Sequence, residues 1–422
     1  MTKDVIRKIL AGSDLEKEEL RETVEGYLSG AVSKGEMTDF LRAVCACGLS
    51  ERATFFLTEV MLESGDRLTF TPREYPYADK HSTGGLADST TLIVAPVVAS
   101  CGIPFLKMSG RKLGHTGGTI DKLELFKGLR TEISIAEAEA IVEKVGVAVI
   151  AQSKELVPAD KAMYTLRDET NTVKSLPLIA SSVISKKLAS GAEVFALDVK
   201  TGSGAFMDTV EESVRLAELM VKILHAAGKR AAAVISDMDS PLGDYIGGVL
   251  EVSDALDVLD GKESRLYELS MVLASRIISL AKGISVAEGE VEARSAVKSG
   301  RAKAKLMEMV SAQGGETTLF DGNIRAKYRS SPLAEVRAEQ AGYLSHIDCV
   351  TLGFAARDAE KQGGYGIYAP HKVGDYVEKG DILFSLYGGD IVTKDVTDRL
   401  RACMTLTDDV VQAPPLVYKI VE

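Results

Sequence analysis

The sequence predicts an α/β fold with a separate all-helical domain, and three features of its 422 residues carry that prediction. The opening segment, to about residue 65, repeats apolar side chains at helical spacing. From about residue 70, short apolar runs alternate with amphipathic stretches, as in strand–helix–strand units around a mixed or parallel central sheet flanked by helices. Beyond about residue 330 the texture changes to short strands and turns.

In the opening segment Val5, Ile6, Ile9 and Leu10 form one stripe and Leu20, Val24 and Leu28 the next. Phe40, Leu41, Val44, Phe55, Leu57 and Met61 continue the pattern. Asp14 and Thr38 suit helix N-caps, while Gly30, Gly35, Gly48 and Gly65 punctuate. Among the alternating elements, Val147 to Ile150, Val194 to Val199 and Ala231 to Ile235 read as strands. Ile135 to Val145 and Ser213 to His225 read as helices. Helical character returns between about 160 and 190 with few strand signals. The predicted domains are therefore 1–65 plus 159–189 (helical), 66–158 plus 190–330 (α/β), and 331–422 (a C-terminal α+β subdomain). In the last, Gly366 to Pro370 precedes Lys372 to Leu383, whose Val-Gly-Asp and Gly-Asp pairs mark tight turns. That segment resembles a lipoyl-like β-sandwich, a barrel-sandwich element. It lacks a modifiable lysine in an exposed hairpin and reads as a structural appendage rather than a cofactor carrier.

Apolar residues make up 45% and charged residues 26%, the balance of a globular enzyme rather than a disordered or fibrous chain. With 61 Asp+Glu against 50 Lys+Arg the net charge is −11, which argues against a nucleic-acid partner. A small anionic substrate stays compatible, because a few local cations set the sign of a pocket. The five cysteines (Cys45, Cys47, Cys101, Cys349 and Cys403) are scattered and odd in number. They predict a reducing compartment, without disulfide framework or zinc site. Cys45 and Cys47 read as core packing in an apolar helix. The N-terminus lacks an apolar leader, and the most apolar run, Leu92 to Leu106, is broken by Pro96, Gly102 and Pro104. The expectation is a cytoplasmic protein with no membrane partner.

Two glycine-rich segments carry the chemistry. Asp79-Lys80-His81-Ser82-Thr83-Gly84-Gly85 leads into Ser89-Thr90-Thr91 and an apolar helix. Ser109-Gly110-Arg111-Lys112-Leu113-Gly114-His115-Thr116-Gly117-Gly118-Thr119 leads into a helix opened by Asp121. Glycine lets backbone approach an anion, and helix N-termini offer free N–H groups. Hydroxyls of Ser82, Thr91, Ser109 and Thr119 each donate a hydrogen bond, and Lys80 adds full charge. Neither segment has the spacing of a Walker loop or a dinucleotide fingerprint. Either alone is a common turn; together they describe a phosphate cradle.

A third constellation is Arg167 in Tyr164-Thr165-Leu166-Arg167-Asp168, followed by Ser182 and Lys186, which share a helix face four residues apart. It reads either as a ligand grip or as a solvated cationic face with Arg167 paired to Asp168 or Glu169. The fourth, Asp198 to Phe206, is a strand ending in a tight glycine turn, the end that faces the ligand crevice in an α/β sheet.

Taken in order, these segments resemble the thymidine/pyrimidine-nucleoside phosphorylase family, in its broad-specificity branch, over nearly the whole chain. The stretch SGRKLGHTGGTIDKLE carries most of the likeness. The resemblance implies a small helical domain, a large α/β domain, an active site in the cleft between them, and a homodimer joined through the helical domain. It implies phosphate binding by Lys80, Ser82, Thr91, Ser109 and Thr119 of the α/β domain. It implies base binding by Arg167, Ser182 and Lys186 of the helical domain, with His81 near the base and Lys107 able to meet a ribose 2′-hydroxyl. Inorganic phosphate is the implied co-substrate, and no organic cofactor is needed. A structural potassium ion is implied at Ala87, Ser89, Leu242, Tyr245 and Asp254.

Four departures stand out. Ala87 and Lys112 occupy positions where relatives have glycine, Gly247-Gly248 replaces a Gly-Asn pair, and Asp254 replaces Glu. The implied reaction is phosphorolysis of uridine, thymidine and deoxyuridine to free base and (deoxy)ribose 1-phosphate, with His81, Arg167 and Lys186 as catalytic residues. The alternatives are a thymidine/deoxyuridine-restricted or base-shifted phosphorylase and a non-catalytic nucleoside- or phosphate-binding relative. A phosphoribosyltransferase would need paired acids for magnesium and pyrophosphate, which the loops lack.

Overall fold

The computed structural model describes residues 2–111, 114–152, 156–389 and 394–422. The chain divides into two compact units.

The first unit comprises Met1–Pro72, Gln152–Glu193 and Arg215–Ala231. Four helices, Thr2–Leu10, Lys17–Ser29, Lys34–Cys47 and Glu51–Glu63, are joined by Pro158–Glu169 and Leu176–Ala189. The apolar stripes meet inside, where Leu20, Val24, Phe40, Leu41, Val44 and Leu57 are buried; Leu10 and Leu28 stay exposed. The caps differ from expectation. Helix Lys34–Cys47 starts one turn before Thr38, at Ser33, whose hydroxyl and backbone N–H exchange bonds with Glu36 in a capping box. Thr38 lies inside the helix and donates to the Lys34 carbonyl at 2.8 Å. Glu16 and Glu19 form the box that opens Lys17–Ser29, while Asp14 accepts from the Leu15 N–H and the Ser50 hydroxyl instead. Gly30 and Gly48 do close their helices. Cys47 is exposed and Cys45 half-buried, which corrects the reading of both as core; all five cysteines are free.

The second unit comprises Arg73–Ala151, Val194–Val214 and Ala232–Glu422. Its central sheet contains β1 (Ala78–Ser82), β2 (Phe105–Ser109), β3 (Val147–Ala151), β4 (Val194–Thr201) and β5 (Arg230–Asp237). The order is Val417–Val421, β5, β4, β1, β2, β3. β1 runs parallel to β2 and β4, and β2 to β3, while Val417–Val421 is antiparallel to β5. The sheet is thus mixed and mostly parallel. Such strands are covered on both faces, which is why β4 is buried throughout, its apolar start Val194–Leu197 followed by the buried charges Asp198 and Lys200. The helix Thr90–Ser100 has no polar face and is buried from Thr90 to Ala99.

Residues 331–422 fall in the second unit and build two small antiparallel sheets. One places Gly342–Ile347 between Tyr376–Val377 and Met404–Thr407. The other runs Tyr245–Ile246, Gly364–Tyr368, Ile382–Gly388, Pro332–Arg337. The Gly247-Gly248 departure follows from this sheet. At Gly248 φ is +53°, and a Cβ would stand 2.3 Å from the Tyr365 carbonyl oxygen, so only glycine fits. Among the described residues no single helix is long and apolar enough to cross a membrane.

Candidate active site

The ends of β1 and β4 bring a charged cluster together inside the second unit. Ser82 stands in register with Asp198 across the two strands. Lys80, only 1% exposed, donates to Thr90 Oγ1 at 2.5 Å and lies 3.6 Å from Asp198 and 3.9 Å from Asp88. Asp88 accepts from the Ser82 hydroxyl at 2.7 Å, the Thr90 hydroxyl at 2.5 Å and the Thr90 N–H at 3.2 Å. Lys200, fully buried, reaches Asp198 at 2.8 Å, Asp88 at 3.8 Å and the Ser236 hydroxyl at 3.1 Å. Burial pulls the Lys80 ammonium below its usual range. Burial also pushes the Asp88 carboxyl up, but Lys200, Lys80 and Lys122 outweigh it and hold Asp88 well below the carboxylate range.

The second glycine segment joins this cluster. Ser109 ends β2, and the neighbouring Gly110 carbonyl accepts from the Ile120 N–H at 3.5 Å, beside Thr119 at the start of helix Thr119–Leu123. Lys122 in that helix donates to the Asp88 carbonyl at 2.6 Å and pairs with Glu251 at 2.5 Å. A Cβ at Gly84 would meet Thr116 at 3.7 Å, and one at Gly117 would meet Lys122 at 3.2 Å. The two loops therefore converge, and their glycines allow the close approach. His115 reaches the Gly204 carbonyl at 3.0 Å.

Thr91 is buried in the first turn of helix Thr90–Ser100. His81 lies on β1 opposite Leu197, and strand alternation sets it on the other face from Lys80 and Ser82. Lys107 is not a surface residue: at 4% exposure it donates to the Lys80 carbonyl at 2.5 Å and lies 3.9 Å from Asp79. Lys112 lies outside the described residues.

The third constellation belongs to the first unit. Arg167, 2% exposed, is neither solvated nor paired with Asp168 or Glu169. Its guanidinium donates to the carbonyls of Thr172 at 3.3 Å, Leu178 at 3.1 Å and Val173 at 2.7 Å, and burial pulls it below its usual range. Lys186 donates to Asp160 at 2.7 Å and to the Ser182 hydroxyl at 3.2 Å. Arg167 and Lys186 both lie over the Tyr164 ring, at 5.9 and 5.8 Å. The structure thus brings Arg167 and Lys186 to one aromatic ring, with Ser182 bonded to Lys186.

Sequence reasoning passed over Asp88 and Asp160, and it quoted Thr90, Lys122, Tyr164 and Lys200 within their segments without giving them a role. The Asp88-Ser89-Thr90 spacing was the available signal, since an aspartate two residues before a first-turn N–H folds back onto it. The residues expected around potassium fit the ion poorly. Asp254 already accepts from Lys262 at 2.9 Å and from the Asp244 N–H at 3.0 Å, and the Ala87 carbonyl accepts from Gly243 at 3.3 Å. Ala87 itself holds φ at +54°, the left-handed region in which a glycine is the relaxed choice.

Two domains of the glycosyl transferase family match this chain, the helical bundle domain at residues 3–65 and the a/b domain at residues 74–303. A pyrimidine-nucleoside phosphorylase of Geobacillus stearothermophilus is 41% identical over 98% of both chains. Its namesake in Bacillus subtilis (strain 168) is 40% identical over 99% of both. The chain belongs to the pyrimidine-nucleoside phosphorylase family. A Staphylococcus aureus (strain N315) member is 39% identical over 99% of both chains. The anthranilate phosphoribosyltransferase structure of Thermus thermophilus shares the fold, with a TM-score of 0.61 at 20% identity, over 74% of this family member and 99% of that chain.

Proposed function

We propose that this chain splits pyrimidine nucleosides with inorganic phosphate, giving free base and (deoxy)ribose 1-phosphate, and acts on uridine, thymidine and deoxyuridine. It is a pentosyltransferase on this reading, with phosphate as co-substrate and no organic cofactor. The observation that carries it is the convergence of both glycine loops at Gly84 and Asp88, beside Lys80, in a chain 41% identical to a pyrimidine-nucleoside phosphorylase.

A phosphate oxygen forms a bond to the anomeric carbon as the C–N bond breaks, and the bonding pair leaves with the base. Lys80, Ser82, Thr91, Ser109 and Thr119 hold the dianion, and Arg167, Ser182 and Lys186 receive the charge that grows on the pyrimidine. A proton from His81 or solvent neutralises the departing ring. Both grips must engage one nucleoside together, since attack needs aligned reactants and excluded water. The helical domain is the homodimer contact, the α/β domain the phosphate carrier, and residues 331–422 a subdomain. The setting is nucleoside salvage in the cytoplasm.

A second reading has one observation in its favour. Lys107 is turned onto the Lys80 carbonyl at 2.5 Å. If that tie persists with substrate bound, a ribose 2′-hydroxyl loses its partner and the enzyme is restricted to deoxynucleosides. The test is release of free base from uridine, thymidine and deoxyuridine, with and without phosphate. All three should react, only with phosphate. Lys80→Ala and Arg167→Ala should each lower kcat/KM by about 10²-fold or more. Wild-type rates in both variants, or base release that ignores phosphate, reject the reading.

A further inference from the structure

The place assigned to potassium is crowded by the chain's own positive charge. Helix Gly248–Leu259 ends at Asp260-Gly261, where φ reaches +102° and the Lys262 N–H returns to the Asp257 carbonyl at 2.9 Å. That turn folds the Lys262 side chain back along the helix. Its ammonium lies 2.9 Å from Asp254 Oδ1 and 2.8 Å from Asp244 Oδ2. The other Asp254 oxygen accepts from the Asp244 N–H at 3.0 Å, so both oxygens of this buried carboxylate are engaged.

A second ammonium covers the backbone. Lys372 donates to the Gly243 carbonyl at 2.9 Å and to the Ala369 carbonyl at 3.2 Å, and lies 3.4 Å from Asp244. The Tyr245 ring carries Lys262 at 5.7 Å and Arg329 at 4.2 Å. Ser89 donates its hydroxyl to Glu251 at 3.2 Å, and Glu251 is paired with Lys122 at 2.5 Å. Lys262 and Lys372 balance Asp244 and Asp254, so the cluster is neutral without a metal. A potassium ion would add an uncompensated positive charge beside two ammonium groups, at a carboxylate, Asp254, that is itself buried.

We propose that Lys262 is a built-in replacement for the monovalent cation, and that this chain needs no potassium. Lys262 neutralises Asp244 and Asp254 and so fixes the turn at Leu242-Gly243. That turn donates to the carbonyls of Leu86 at 3.1 Å and Ala87 at 3.3 Å. The next residue is Asp88, which gathers Ser82, Thr90 and Lys80. Lys262 is a positioning residue: it acts on the phosphate loop through this chain of contacts and touches no substrate.

The test compares potassium chloride with tetramethylammonium chloride at about 0.1 M, so that screening is constant. Wild type should melt within about 1 °C and turn over within about twofold in the two salts, because an ion that does not bind the folded state cannot stabilise it. Lys262→Met should melt lower in tetramethylammonium and regain part of the loss in potassium, the freed carboxylates now taking the ion. Lys262→Arg, which keeps the charge, should match wild type in both salts. A wild-type melting temperature that rises by several degrees in potassium overturns the proposal, as does a Lys262→Met variant indifferent to it. If Lys262→Met does not fold, thallium(I) titration of wild type decides: saturable binding overturns the proposal and none supports it. The melting and titration arms contain no nucleoside, so their failure is distinct from failure of the phosphorolysis reading.

Discussion

Arg167 illustrates how a single buried side chain organises a loop. Three of its five N–H groups hold the carbonyls of Thr172, Val173 and Leu178, and the proposed function assigns the other two to a base. A lysine has three protons and no planar fork, so it cannot hold that loop and a ligand at once. Asp237, at the end of β5, shows the cost of burying a carboxylate. Burial outweighs the Arg265 guanidinium 2.7 Å away and raises the Asp237 pKa from 3.8 to about 6. A raised folded-state pKa contributes stability that is full below 3.8 and is lost as pH rises through about 6. Wild type should therefore gain stability relative to Asp237→Asn as pH falls from about 7 to about 5, read by denaturant melts. An unchanged difference across that range would discount the effect.

At the level of elements, the sequence pattern was reliable where periodicity dominates. Helix Ile135–Val145 runs as read, and the strands near Val147, Val194 and Ala231 extend by one to three residues. Caps were less legible, because Asp14 and Glu16 both offer carboxylates and only the fold decides which faces a free N–H. The pairing of buried Asp88 with Lys200 was not legible in one dimension, although Lys200 falls in a segment read as a crevice-facing strand end, since it needs β1 and β4 side by side. Gly248 marks a junction that pattern alone described only as a departure. Gly248→Ala should destabilise by about 2 kcal/mol or more, because both the left-handed backbone and the Tyr365 carbonyl oppose a side chain. A melting temperature equal to wild type would show that the sheet edge yields instead.

On the scale of the whole molecule, a helical unit and an α/β unit were legible in the alternation of textures; Lys80 lies in the second unit and Arg167, Ser182 and Lys186 in the first. What the sequence could not reveal is that Val417–Val421 returns to complete a sheet begun at Ala78. This strand covers β5, whose open side would otherwise offer unpaired N–H and C=O groups to any extended peptide. A variant ending at Pro415 should self-associate in light scattering, and a monodisperse one would contradict this. In the cell the ribosome makes β5 long before it makes Val417, so every nascent copy passes through a sticky interval that ends only when the tail emerges.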